Sequence, residues 1–167
     1  MRNAPALPTG RRLLSQTAEH ALRAALYLGR QERGKLVPAS TVAAALGTPP
    51  NYTAKTLRQL TRKGLLRSVR GPHGGFALLK SPSVLSVARV VDAVDEGVER
   101  PAVCLLGDRL CDAASRPCGA HRRWAEVQEH TSELLERTTL GELLGDEAPI
   151  GSTKRHGPPA SEPRRTR

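Results

Sequence analysis

Three cysteines and a histidine fall within eighteen residues: Cys104, Cys111, Cys118 and His121, spaced C-x6-C-x6-C-x2-H. Thiolates are soft donors, and three of them in one stretch suit zinc or an iron–sulfur cluster. Zinc favours tight C-x2-C pairs, so the wider six-residue intervals point toward a cluster. Three thiolates leave the ligand set one donor short. The fourth must come from His121, Asp108, another part of the chain or a second subunit. The same residues allow other readings. One is a thiol redox switch or zinc site without iron. Another is a Cys nucleophile with His121 as its base, set aside because the cysteines sit in a stretch with no helical or strand period and no candidate substrate pocket. The chain is therefore not expected to be an enzyme. Three exposed thiols with no role would be reactive, which makes a bland surface loop the weaker reading.

The elements that must position these residues follow from charge and pattern. The 167 residues carry a net charge of +10, unevenly placed. Residues 1–12 hold +3, residues 13–80 hold +9, residues 81–147 hold −6 and residues 148–167 hold +4. Between Glu32 and Asp92 there is no acidic residue. A basic segment beside an acidic one suits a chain whose first part touches phosphate while its second part does something else. Only four residues are aromatic, namely Tyr27, Tyr52, Phe76 and Trp124, and the apolar remainder is mostly Ala, Leu and Val. Packed helices fit that composition better than a β-sandwich does. No apolar run reaches 18 residues, so a transmembrane helix is excluded. The N-terminus lacks the pattern of a secretory signal, and an odd cysteine count argues against a disulfide framework. A cytoplasmic location is expected, with no membrane contact.

Residues 15–31 show helical spacing at Ala18, Ala21, Leu22, Ala25, Leu26 and Gly29, with Ser15 as N-cap and Gly34 beyond the end. A short extended piece at Leu36 and Val37 precedes a small helix from Ser40 to Leu46, stopped by Gly47. A third helix, capped by Thr48 with Pro49 in its first turn, runs to about Lys63 with Tyr52, Thr56, Leu57 and Leu60 inward. Short helix, tight turn and second helix make a helix-turn-helix. Two strand-like runs follow, at 65–70 and 75–79, joined by Gly71-Pro72-His73-Gly74; a hairpin in that place is a wing. The outward face of the third helix offers Asn51, Lys55, Arg58, Gln59 and Arg62, side chains that read base edges or hold phosphates. Arg70 and His73 sit at the wing tip, within reach of a minor groove or backbone. Double-stranded DNA is the expected partner.

In the second half, Ser86 caps a helix with Val87, Val90, Val91 and Val94 as its buried stripe. A long helix from His121 to about Thr138 carries Trp124, Val127, Thr131, Leu134 and Leu135 at helical spacing. That stripe needs a cover, and a two-fold dimer is the expected one, since such proteins read two half-sites. Thr139-Leu140-Gly141-Glu142 forms a capping box opening a last short helix. The expected division is a basic arm at 1–12, a winged helix-turn-helix at 13–80, a cysteine sensor loop with dimerisation helix at 81–147, and a disordered basic tail at 148–167. The fold class is mainly α, with a two-stranded β wing.

At this point the residues resemble a known family. Leu14-Ser15-Gln16-Thr17-Ala18-Glu19-His20-Ala21-Leu22 is similar to its first helix, and Ser68-Val69-Arg70-Gly71-Pro72-His73-Gly74-Gly75-Phe76 to its wing. Three cysteines followed by His121 and Trp124, then Thr139-Leu140, complete the order. Over about residues 13–145 the chain resembles the IscR/NsrR-type family of winged-helix iron–sulfur transcription regulators. The resemblance implies a homodimer on a pseudo-palindromic operator, with a 2Fe–2S or 4Fe–4S cluster setting DNA affinity in response to redox state, nitric oxide or cluster supply; a repressor is the expected form of regulation. It also implies a fourth ligand: His121, or Glu19 contributed by the partner subunit. Both intercysteine intervals are one residue longer than is common in the family, so the cluster type does not carry over.

Overall fold

The computed structural model describes residues 14–95 and 118–145. Three helices come first: α1 (Gln16–Gly29), α2 (Ala39–Leu46) and α3 (Pro50–Arg62). An antiparallel hairpin follows, β1 (Leu66–Val69) with β2 (Gly75–Leu78), then one 3-10 turn at Pro82–Val84 and α4 (Val87–Asp95). Farther along the chain lie α5 (His121–Arg137) and α6 (Leu140–Gly145). The expected mainly helical winged helix-turn-helix is what the chain adopts. The two basic arms, and Cys104 and Cys111, lie outside the described residues.

Helix α1 starts where Ser15 Oγ accepts from the Ala18 N–H at 2.9 Å, meeting one of the orphan donors of its first turn. It is rich in Ala, so neighbouring elements approach it closely on several sides. Ala18, His20, Ala21, Ala24, Ala25, Leu26 and Leu28 are all buried against α3, α4, β2 and α6. Single-stripe reasoning therefore missed His20, Ala24 and Leu28, and it placed Leu22 and Gly29 deeper than they are, since both are half-buried. The helix also stops earlier than expected, at Gly29 with Arg30 as its cap; Gly34 (φ 83°) turns the loop four residues later.

The turn between α2 and α3 uses Gly47 in the left-handed region (φ 64°), as its position requires. The cap of α3 differs from expectation. Pro49 is the N-cap and Pro50 the first helical residue. Pro50 has no N–H, so the first turn has one fewer orphan donor, and Thr48 is not needed as a cap. Its hydroxyl lies instead 2.9 Å from that of Thr53, which takes the inward place expected of Tyr52 and contacts Pro49 O at 3.2 Å. Thr53, Thr56, Leu57 and Leu60 form the buried face, while Tyr52 is half-buried.

The hairpin pairs Leu66 with Leu78 through to Val69 with Gly75. Val37 adds a one-residue third strand: it exchanges two backbone hydrogen bonds with Phe76, each 2.9 Å. The main core joins Ala21, Leu57 and Leu60 to Leu85, Val90, Ala93 and Leu140, so packing runs continuously across the boundary expected at residue 80. The capping box forms as expected. The Thr139 N–H donates to Glu142 Oε2 at 2.6 Å and the Glu142 N–H to Thr139 Oγ1 at 3.2 Å. The Thr139 backbone donor, with its hydroxyl second, holds the Glu142 carboxyl below its usual pKa. Leu140 itself is fully buried and its N–H reaches Leu85 O at 2.8 Å.

Candidate functional site

The exposed side of α3 is laid out by the helical repeat. Asn51, Lys55, Arg58 and Arg62 are all exposed, as the outward-facing prediction requires. Gln59 is half-buried instead, turned toward the end of α4, where it lines a cavity with Arg62, Lys63, Ala93 and Val94. Lys55, Arg58 and Arg62 share a cleft with Thr61 and with Ser68 of β1. Arg70 and His73 are both exposed in the turn between the wing strands. The wing keeps this turn because Gly71 (φ 112°) adopts a backbone shape that side chains disfavour.

A contact that sequence reasoning missed ties α1 to α3. His20 is only 5% exposed, and its ring centroid lies 4.6 Å from that of Tyr52. The Tyr52 hydroxyl reaches Thr17 Oγ1 at 3.5 Å. His20 Nε2 is buried and has no hydrogen-bond partner among the described residues. Burial, and secondly the nearby Arg23 guanidinium, lower the His20 pKa from 6.5. A lowered pKa means that the fold favours neutral His20. Its contribution is therefore fully present above about pH 6.5 and is lost as the pH falls below that value. Urea midpoints are expected to drop between about pH 7 and pH 5.5, and a His20→Leu variant should show a flatter profile over the same window. An unchanged profile in the variant would place the titration on another group. Little in the sequence warned of it, since Gln16, Thr17, Glu19 and Arg23 make other polar positions in the same helix.

Of the expected cluster ligands in the cysteine stretch, Cys118 and His121 are described. Both are half-buried, and the His121 N–H donates to Cys118 O at 2.9 Å, which places them in one turn at the head of α5. Glu19 lies half-buried in the first turn of α1. Among the described residues no three His, Cys, Asp or Glu side chains gather as a metal site, with Cys104 and Cys111 outside that set. The donors that are present suit a thiolate-held group: a half-buried thiol with an imidazole one turn on.

No residue of α5 is fully buried. Trp124, Val127, Thr131 and Leu135 lean toward α4 and line an open groove with Ala88, Val91 and Asp92. Val127 remains 49% exposed and Leu134 65%. The indole Nε1 of Trp124 is buried without an acceptor among the described residues. Among the described residues, therefore, the stripe is covered only in part.

Residues 14–146 match the model of a family described as Rrf2, iron-dependent transcriptional regulator. The chain belongs to the Rrf2 family. The IscR regulator of Yersinia pestis is 31% identical to this Rrf2 protein over 134 residues, 80% of either chain. An HTH-type transcriptional regulator of Aquifex aeolicus is 27% identical over 135 residues, covering 81% of this chain and 93% of that one. Among solved structures, CymR, the global cysteine regulator of B. subtilis, superposes with a TM-score of 0.65 at 18% identity, covering 81% of this chain and 98% of its own. T. potens IscR does so with 0.61 at 21% identity, covering 80% and 86%. The IscR/NsrR-type resemblance thus holds, and so does the fold. This Rrf2 protein is a DNA-binding transcription regulator, not an enzyme. Among its described residues no helix is long and apolar enough to cross a membrane.

Proposed function

We propose that this chain is a homodimeric repressor whose affinity for a pseudo-palindromic operator is set by an iron–sulfur cluster, 2Fe–2S or 4Fe–4S. Cys104, Cys111 and Cys118 would hold it, with His121 or Glu19 of the partner subunit as fourth ligand. Asn51, Lys55, Arg58, Gln59, Arg62, Arg70 and His73 would contact the duplex. Trp124, Val127, Thr131, Leu134 and Leu135 would meet their copies across the two-fold axis. The observation that carries the reading is the placement of Cys118 and His121 in one turn at the head of α5, whose apolar stripe is left partly open among the described residues. The 31% identity to an IscR supports it.

When bound, the cluster supplies ligation that redox change or nitric oxide can undo. The protein does the rest. Glu19 shares the first turns of α1 with His20, and the His20 ring packs at a tilt against Tyr52 in the first turn of α3. A ligand pulling on Glu19 therefore bears on the helix end that presents Asn51 and Lys55. Two α3 helices must match two half-sites at once, so a small tilt in each changes affinity.

Protein purified and reconstituted without oxygen is expected to be brown, with visible absorption that vanishes in a Cys104→Ala, Cys111→Ala, Cys118→Ala variant. Bleaching the cluster should change operator affinity about tenfold or more, in line with ordinary coupling energies. A colourless reconstituted protein sinks the cluster. Bound zinc by metal analysis, or DNA affinity that follows thiol oxidation without iron, would replace it with the thiol or zinc reading.

A further inference from the structure

We propose that the cleft between α3 and β1 seats one backbone phosphate of bound duplex, gripped jointly by Arg58, Arg62 and the Ser68 hydroxyl. Base reading then falls to the first turn of α3. The assignment rests on the DNA-binding role described above and divides it between two parts of one surface.

The first observation is charge. Lys55, Arg58 and Arg62 recur at helical spacing along one face, and the cleft of 410 Å³ that they line contains no carboxylate. Arg58 and Arg62 stand one turn apart, where like charges repel. Among the described residues none of these three cations makes an ion pair. A surface that stacks cations without an acid between them is relieved by an anion.

The second observation is that the cleft is pre-formed. Only Lys63, Gly64 and Leu65 connect α3 to β1. Gly64 (φ 70°) donates to Thr61 O at 3.0 Å and Leu65 to Leu60 O at 3.0 Å, while Leu65 and Leu66 are buried beneath. The strand is thereby fixed against the last turns of the helix, and little ordering is left to binding.

The third is the hydroxyl inventory. Thr61 donates its proton to Leu57 O at 2.9 Å and is already engaged. Ser68 is exposed, its backbone is held by pairing with Phe76, and its hydroxyl makes no hydrogen bond among the described residues. Two guanidinium groups and a hydroxyl around one opening match the acceptor oxygens of a phosphodiester.

The test uses the full-length protein and two duplexes of about 30 base pairs, one selected from random sequence by the protein and one unrelated. Arg58→Ala and Arg62→Ala should each weaken both duplexes alike, by about fivefold, and reduce the slope of log affinity against log salt by about 1 per lost contact. Ser68→Ala should weaken both by about twofold, and Ser68→Asp should do so far more. Thermal midpoints should stay near wild type, since all three residues are exposed. Loss confined to the selected duplex with an unchanged salt slope would make these residues base readers and overturn the cleft assignment. Wild-type protein that binds neither duplex at low salt would overturn the DNA role and the cleft together. Inorganic phosphate alone should leave the backbone amides of Gly64 and Ser68 without a saturating shift. A saturating one marks a free-anion site and overturns the duplex as occupant.

Discussion

A Gly75→Ala variant is expected to melt about 10 °C below wild type, a loss of about 3 kcal/mol. Gly75 opens β2 where Val37 crosses it, and a Cβ there would stand 2.5–2.8 Å from the backbone N, C and O of Val37. Those are backbone atoms, so no side chain can swing away to make room. Val37 is held by two hydrogen bonds to Phe76, and it is 4% exposed within the main core. Relief requires the hairpin to part from Val37, which breaks the bridge and uncovers Leu66 and Ala77. The loss of the wing should weaken operator binding even at temperatures where the helices survive. Circular dichroism melting beside gel-shift titration checks both parts. A variant that melts and binds like wild type would show that the bridge gives way freely, against the packing described here.

The second large effect is expected far along the chain. Leu140→Ala should destabilise the DNA-binding fold by about 4 kcal/mol. Leu140 is fully buried in the same core as Leu57 and Leu60 of α3. Its side chain fills space between α1 and the 3-10 turn, where Gly141 packs so tightly that a Cβ would come 2.9 Å from Ser83 Cα. Close packing of that kind collapses poorly around a deletion, which puts the substitution in the upper part of the usual range. Denaturant titration should show a single transition moved to lower urea with an unchanged slope. A second transition appearing in the variant would mean that α6 unfolds by itself and does not belong to this core.

Much of this was legible in the sequence because several local signals agreed. Ser15, Gly47 and the Thr139–Glu142 box are short-range devices, and they function where the spacing placed them. The wing was readable because Gly71-Pro72-His73-Gly74 permits little except a turn between strands. What escaped depended on contacts remote in sequence. His20 is a polar residue whose environment is made by Tyr52, thirty-two positions away, so periodicity had nothing to say about it. Helix α1 was read as having one apolar face because a stripe is all that a pattern reveals, whereas small Ala side chains let it be enclosed on several sides. Thr48 was displaced as a cap by the proline pair beside it. The surroundings of Gln59 and Ser68 were out of reach for a geometric reason: the short link through Gly64 brings β1 against one side of α3 and leaves Gln59 facing α4.

The seat of α6 also bears on how the protein is made. Residues of α1 through the wing emerge from the ribosome first, yet the core they share is closed by Leu85, Val90 and Leu140. Domains fold as units during synthesis, and this unit is incomplete until α6 has left the exit tunnel. By then the cysteine-bearing stretch has been translated as well. A chain cut short before Cys104 lacks Leu140 and with it the last piece of its DNA-binding fold, so premature termination is expected to yield a fragment that does not fold in place of a shortened regulator.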